Sequence, residues 1–458
     1  MGDILPVGKS SDLLVRTFWF GGQEAMLYYL DGFLNDIVME SMVSKLVAIP
    51  PEAMKKTKDL QSFVDRFITY TEVDVYQDAM EVTTQLLSGK SVFLVDSLAG
   101  AIVLDLRDYP ARNTEEPEKE RVMRGSRDGF VETVIWNTAL IRRRIRDPKL
   151  VVELSRVGER SQTDIGLVYM EDKVNQDDLA LIKSKLTGIR TEALAMNIES
   201  IAECLVKSRW YNPFPKVRYT ERPDSAAAAI MEGGIVLLVD NAPAAMLLPT
   251  SILDFLQEPN DFYFPPAVGT YIRWVRNLVF LFTLVLTPLW LLLLENLDKL
   301  PPALGFLGLS ETANVPIILQ LLILEGAVDV LRLASVNTPS MLGNSLSIIG
   351  ALLLGEFAVK SGWLVPDTIL YMSFVAIASF TQPSIEFGYA IKFMRILLLI
   401  LTHLFNLWGF IAGLLLSLVL VASNKTVTGK GYLYPLIPFN WQALKTHLYR
   451  HRIRTNSR

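Results

Sequence analysis

Where the apolar residues fall limits this chain more than anything else about it. Residues 274–294 read WVRNLVFLFTLVLTPLWLLLL, and Phe387 to Ala422 form a second apolar run of 36 residues. An apolar helix of about 20 residues matches a bilayer core of about 30 Å, whereas at about 1.5 Å per residue the longer run reaches about 54 Å. That run therefore predicts either two helices broken near Thr402–Gly409, or an interfacial helix carrying Lys392 and Arg395 followed by one span. Up to about Gly269 the chain is an ordinary mixed, charged sequence. The expectation is a soluble N-terminal region followed by an all-α polytopic membrane domain over 263–424 and a basic tail at 425–458.

Composition narrows the chemistry. A formal net charge of −4 argues against bulk nucleic-acid binding, so no nucleic-acid partner is expected. One cysteine, Cys204, excludes an internal disulfide and a cysteine-rich metal site, and three histidines leave little for a histidine metal centre. No cofactor and no metal are expected. Residues 1–12 do not read as a secretory signal, so the N-terminal region is expected to stay on the side where it was made. Met1-Gly2 fails as a myristoylation start because Pro6 stands where Ser or Thr is wanted.

The soluble half repeats one plan. Residues 15–36 run β-rich, Gly turn, β-rich, acidic helix start, and 152–178 follow the same order with a longer turn. Residues 79–107 read helix, Gly stop, strand, turn at Asp96, strand, and 226–249 repeat that unit with Asp240 at the turn. Two α/β subdomains of similar topology follow, at 1–110 and 148–262. Between them, 111–147 hold a charged loop and a helix at about 129–146 with an apolar face through Phe130, Val134, Asn137 and Ile141. That helix ends in Arg142, Arg143, Arg144 and Arg146. These read either as a solvated end that complements the helix dipole or as a contact for a neighbouring subunit or anionic lipid headgroups.

Enzyme signals are poor, and no catalytic activity is expected. Gly8-Lys9-Ser10 resembles the end of a phosphate-binding loop, but Asp3 stands where Gly is required. Ser88-Gly89-Lys90-Ser91 fails likewise, with Thr84 at the first Gly position. Asp96 and Asp240 occupy matching tight turns, so turn formation is expected of them rather than catalysis.

Within the membrane half, Arg273 and Arg276 flank the first span and mark its cytoplasmic end. A helix at about 315–336 carries Glu325, Asp329 and Arg332 as one polar stripe. It reads as an interfacial or re-entrant helix with an internal ion pair, or as part of a conducting path. The segment 340–361 places small residues Gly343, Ser347, Gly350 and Ala351 near one face, where another helix can approach closely. Ser345, Ile349, Leu352 and Glu356 lie along another face and are the candidate pore lining, with Lys360 four residues beyond Glu356. The competing reading is a tightly packed buried helix. With 363–382 as a further span and both ends inside, four crossings are expected.

Three stretches carry a family resemblance: RDGFVETVIWNTALIRRRIRDPKL (127–150), TERPDSAAAAIMEGGIVLLVDNAPAAMLLP (220–249) and SLSIIGALLLGEFAVKSGWLVPD (345–367). Together they resemble the spore germination GerA family, the A subunits of bacterial germinant receptors, over nearly the whole chain. Residues 329–343 (DVLRLASVNTPSMLG) and 380–395 (FTQPSIEFGYAIKFMR) look more like the family's stage V sporulation protein AF branch. The resemblance implies a two-part cytoplasmic N-terminal domain and a membrane domain. It further implies a homo-oligomeric, pentameric channel in the spore inner membrane. Such a channel passes monovalent cations such as potassium during germination, alongside a small membrane partner protein. Two alternatives stay open. One is a nutrient-receptor A subunit working with B and C subunits; the other is a secondary transporter using Glu325, Asp329 and Glu356 as carriers.

Overall fold

The structure, a computed structural model, describes residues 4–57, 59–108, 120, 125–194, 196–206, 209–337, 350 and 352–450. It divides into two compact units, 1–207 with 217–250, and 208–216 with 251–458.

In the first unit, strands β1 (Leu13–Phe20) and β2 (Gln23–Leu30) are joined at Gly21 and Gly22, whose φ values of +55° and +78° suit a two-residue hairpin turn. Helices α1 (Asp36–Val47), α2 (Pro51–Lys55) and α3 (Leu60–Phe67) follow, then β3 (Val73–Tyr76), α4 (Ala79–Leu87), β4 (Ser91–Val95) and β5 (Ala101–Leu104). Gly89, at φ +99°, ends α4 as the sequence predicts. The second subdomain runs α5 (Val134–Arg144), β6 (Leu150–Val157), β7 (Thr163–Met170), α6 (Gln176–Thr187), α7 (Ile198–Leu205), β8 (Arg218–Thr220), α8 (Pro223–Met231), β9 (Ile235–Val239) and β10 (Ala245–Leu248). The strand orders, β1-β2-β4-β5-β3 and β6-β7-β9-β10-β8, are one topology written twice, and every pairing is antiparallel. The repeated α/β plan read from the sequence is therefore present.

Two sequence expectations change here. Helix α5 is shorter than 129–146 because Asn137, fully buried, holds the preceding backbone extended. Its side-chain amide accepts from the Val131 N–H at 2.8 Å and donates to the Val131 carbonyl at 2.5 Å. Nor is α5 only a link between subdomains: it packs Ala139 with Tyr28, Leu30 and Phe33 of the first, yet most of its buried face belongs to the second. Phe130, Val134, Leu140, Ile141 and Ile145 share one core with Ala226, Ala227 and Ile230 of α8 and with Val168 and Leu238 of the second sheet. Gly166 of β7 permits this approach, since a β-carbon there would already lie 3.4 Å from Val134. Most of the charged loop at 108–128 lies outside the described residues.

The second unit is helical: α9 (Asn260–Tyr263), α10 (Pro266–Glu295), α11 (Ile317–Asn337), a π-helical turn Leu352–Phe357 leading into α12 (Ala358–Lys360), α13 (Pro366–Phe380), α14 (Ile385–Ala422) and α15 (Trp441–Leu448). Helices α10 and α14 are long and apolar enough to cross a membrane. Helix α14 breaks at Asn406, where φ is +54° and ψ −133°. This is the first of the two arrangements read from the sequence, a break within Thr402–Gly409. The second arm folds back on the first: a β-carbon on Gly409 would meet the Leu401 carbonyl oxygen at 1.8 Å, and one on Gly413 would meet Leu398 Cδ1 at 2.4 Å. With Ser417, these glycines form a small-residue stripe at every fourth position, which lets two helix backbones approach closely.

Contacts along the helices give their directions. Phe280, Thr283 and Glu295 of α10 meet Phe387, Arg395 and His403 in that order, so α10 is parallel to the first arm of α14. Glu325, Asp329 and Arg332 meet Arg395, Lys392 and Tyr389, so α11 is antiparallel to it. Gln320 and Arg332 meet Val365 and Ser379, so α13 is parallel to α11. The polar-striped helix thus runs through the bundle beside α14.

Candidate functional site

The stripe seen in the sequence, Glu325, Asp329 and Arg332, finds its partners on other helices. Glu325 is 2% exposed, and its carboxylate accepts from Arg395 Nε and, at 2.8 Å, from Arg395 Nη2. A two-pronged guanidinium–carboxylate bond of this kind is stronger than a single neutral one. Arg395, itself 4% exposed, also donates through Nη1 to the Thr283 carbonyl of α10 at 2.7 Å. Lys392 donates to the Glu325 carbonyl at 2.7 Å, lies 3.6 Å from the Glu325 carboxylate and pairs with Asp329. Arg332 instead caps two rings, lying 5.1 Å from the Phe380 centroid and 5.3 Å from that of Tyr389, and donates to Ser379 Oγ at 3.3 Å.

Two carboxylates and two cations therefore close on one another, and the group as a whole is neutral. The internal pair expected within the stripe itself is replaced by pairs across α11 and α14. The physical reason is direction: Lys392 and Arg395 lie three apart, as do Asp329 and Arg332, so both sets face one seam. Around this group Trp290, Leu291, Leu321, Leu324, Met372, Val375 and Leu399 fill the interior.

On the candidate pore segment, Ser345, Ile349, Gly343, Ser347 and Ala351 lie outside the described residues. Leu352 opens the π-helical turn. Glu356 is exposed and pairs with Lys360 at 2.5 Å along one helical turn. Gly350 is buried against α11, where a β-carbon would meet Leu331 Cδ2 at 2.9 Å.

The four arginines at the C-terminal end of α5 do not act as one surface patch. Arg142 is 1% exposed and holds Asp12 by two bonds, Nε to Oδ2 at 2.7 Å and Nη2 to Oδ1 at 3.1 Å. It also donates to the carbonyls of Asp147 at 3.1 Å and Leu150 at 2.9 Å. Arg142 is thus an internal clamp and is removed from the proposed subunit or lipid contact. Arg144 pairs with Asp128 at 2.6 Å, while Arg143 and Arg146 are exposed.

Sequence reasoning missed a second buried group. Asp261, 0% exposed, accepts from Arg273 Nε at 3.3 Å and from Arg276 at 2.7 and 2.9 Å, and Arg276 also pairs with Glu258 at 2.6 Å. Arg273 further donates to the Thr446 carbonyl at 2.9 Å, tying the end of α15 to α10. The two arginines read as cytoplasmic markers are therefore neutralised by Glu258 and Asp261. The only signal was an acidic pair lying 12 to 18 residues upstream of its partners.

Comparison with known proteins completes the description. The family described as Bacillus/Clostridium GerA spore germination protein matches residues 5–458. The chain is 38% identical to stage V sporulation protein AF of Bacillus subtilis over 96% of its own length and 88% of the relative's. It is 28% identical to spore germination protein KA of the same organism, over 97% and 82%. The crystal structure of the N-terminal domain of the A subunit of the Bacillus megaterium spore germinant receptor GerK3 aligns with 52% of this chain and 88% of its own, at 23% identity and a TM-score of 0.40.

Proposed function

The chain belongs to the Bacillus/Clostridium GerA spore germination family, and from that premise we propose that it is the membrane subunit of a homo-oligomeric, pentameric ion channel. It acts in spore germination, releases monovalent cations, amplifies the germinant signal and performs no catalytic step. It resides in the spore inner membrane, with its N-terminal region and C-terminal tail on the cytoplasmic side and a small membrane protein as partner.

The observation that carries the membrane reading is the outer surface of the helical unit. Leu278, Leu281, Phe282, Phe374, Ile377, Leu404, Phe405, Trp408, Leu415 and Leu418 are each more than half exposed or close to it. A surface this apolar on helices of spanning length suits lipid rather than water. Among the described residues the charges of α11 and α14 at Glu325, Asp329, Lys392 and Arg395 are paired with one another, which argues against their lining a polar path through one copy. Glu356 and Lys360 lie on the surface, which favours a path between copies. Among the described residues α10, α11, α13 and the two arms of α14 make five long helical segments, so the crossings can exceed the four counted from the sequence.

The test is potassium flux from liposomes holding the purified protein, with particle images of the same sample. Flux that falls severalfold on Glu356→Gln, from five-fold rings, is expected. Monomeric particles without flux would overturn the proposal. The receptor alternative predicts the same rings only when B- and C-type subunits are co-expressed; the higher identity to stage V sporulation protein AF favours the first reading. A transporter that uses Glu325 and Asp329 as carriers is disfavoured because both are held in ion pairs.

A further inference from the structure

Two short loops of the helical unit hold large apolar side chains outward. In the first, 209–216, Trp210 is 97% exposed. In the second, 434–441, Ile437, Phe439 and Trp441 are each more than half exposed. Both loops are firmly tied. Phe214 is buried with Phe255 and Phe387, and the Asn212 side-chain amide donates to the Leu420 carbonyl at 3.1 Å. Tyr432 is fully buried, and its hydroxyl donates to the Pro215 carbonyl at 2.7 Å, which joins one loop to the other. Within the second loop the Asn440 N–H donates to the Pro435 carbonyl at 2.9 Å, and the Leu436 N–H to the Leu433 carbonyl at 2.7 Å. The exposure is therefore built into the fold, and an apolar surface so displayed marks a contact.

Position and charge identify what the loops meet. Phe387 lies at the start of the first arm of α14 and Leu420 at the end of the second, so the loops attach where both apolar arms stop. Leu418 and Val419 are exposed on the second arm, and their surface runs on to the Leu420 carbonyl that Asn212 holds. Tryptophan and tyrosine gather at such a boundary between hydrocarbon and water. The charges there have one sign. Residues 423–450 contain Lys425, Lys430, Lys445 and Arg450 with no Asp or Glu, and residues 205–218 contain four further Lys and Arg, again with no acid. At the other end of α10, Glu295 and Asp298 outnumber Lys299. Apolar tips among cations alone complement anionic headgroups above hydrocarbon. A symmetric contact with a second copy would instead set these cations against one another.

We propose that the two loops form an interfacial anchor for anionic phospholipid, at the end of the unit where α10 begins. Trp210, Ile437, Phe439 and Trp441 enter the boundary between headgroups and acyl chains. Lys425, Lys430 and Lys445 meet the lipid phosphates, as does Arg209, which also donates to the Tyr211 hydroxyl at 3.0 Å. The segment after α14 is then not a free basic tail, because its first part lies in the plane of the membrane. The anchor rests on the reading of α10 and α14 as membrane spans, and it fixes a depth and a lipid class at one end of them.

The test uses the full-length protein in vesicles of phosphatidylglycerol and phosphatidylcholine in equal parts. Cys204, the only cysteine, is replaced by Cys204→Ser, and a fluorescent dye is attached at Ile437→Cys or, as a hydrocarbon reference, at Leu281→Cys. Both positions are more than half exposed, so the dye disturbs no core. Lipids spin-labelled near the headgroup should quench the dye at 437 severalfold more than lipids labelled near the acyl-chain end, and the order should reverse at 281. Spin-labelled phosphatidylglycerol should quench at 437 severalfold more than spin-labelled phosphatidylcholine. Lys425→Gln, Lys430→Gln and Lys445→Gln together should abolish that preference. A dye at 437 quenched by aqueous iodide but by neither lipid, one shielded from both by a second copy or another protein, one quenched most from the acyl-chain end, or one indifferent to headgroup would each overturn the anchor. A dye at 281 that no lipid quenches would overturn the membrane reading itself, and the anchor with it.

Discussion

Replacing Arg142 with methionine separates a surface role for the basic helix end from the internal clamp. The guanidinium is 1% exposed and Asp12 5% exposed, so the change leaves a carboxylate buried without its partner and removes the donor from the Asp147 and Leu150 carbonyls. Breaking a buried pair on one side costs about 3–5 kcal/mol. At about 2–4 °C per kcal/mol for a domain of this size, the first unit should melt about 6–20 °C lower. Adding Asp12→Asn to Arg142→Met removes the stranded charge and should recover about half of the loss, so the two changes are strongly non-additive. Hydrogen exchange gives a local readout. The Val152 N–H donates to Ser10 Oγ at 3.0 Å and the Leu154 N–H to Ser11 Oγ at 3.1 Å, and both flank Asp12. Their protection should fall in the single variant and return in part in the double. Protection in Arg142→Met within about 1 kcal/mol of the parent, the range of an exposed ion pair, would refute the clamp.

The arms of α14 and the Asp128–Arg144 pair give two further tests. Gly409→Ala sets a methyl group against a backbone oxygen that cannot move aside, so the detergent-solubilised protein should lose its monodisperse elution; Gly326→Ala, with nothing within 4 Å, should elute as the parent, and equal behaviour of the two would refute the hairpin. Burial alone would raise the Asp128 carboxyl pKa, but hydrogen bonds from Arg144 and Ser126 and the charge of Arg144 hold it below the usual carboxylate value. Its stabilisation is therefore present above about pH 4, the unfolded value, and is lost as pH falls through the lower folded one. The advantage of the parent over Asp128→Asn in thermal unfolding should shrink below about pH 4, and an advantage unchanged at pH 3 would contradict the assignment.

Local order was legible in the residues; partners distant in sequence were not. Gly21-Gly22, Gly89 and the turn aspartates mark where the chain reverses, because left-handed backbone and tight turns restrict residue type locally. Length showed that the α14 run exceeds one span but left a break and an interfacial helix both open; Asn406, which tolerates the conformation the break needs, decides for the first. Arg142 and Asp12, by contrast, are 130 residues apart, and Arg395 and Glu325 are 70 apart. Helical spacing shows that a charge shares a face with its neighbours, yet it does not show which helix arrives opposite. Asp96 and Asp240 sharpen the point. They share one turn signal, and only the position of α5 makes Asp240 a helix cap, accepting from the Val134 N–H at 3.0 Å.

The same reasoning bears on where ions would move in the proposed channel. Freeing Glu325 from Arg395 to bind a passing cation leaves a guanidinium buried among apolar side chains, a penalty of about 3–5 kcal/mol before any cation is bound. Freeing Asp329 leaves Lys392 only the Glu325 carboxylate, at 3.6 Å and already engaged by Arg395, as its charge partner. The neutral group therefore serves better as a tie between α10, α11 and α14 than as a relay. Glu356 carries no such penalty, because its pair with Lys360 is exposed on both sides and an exposed i, i+4 pair contributes only about 0.3–0.5 kcal/mol. A carboxylate so weakly held can exchange its lysine for a cation, and in the proposed oligomer its place on the unit's surface would put that exchange between copies.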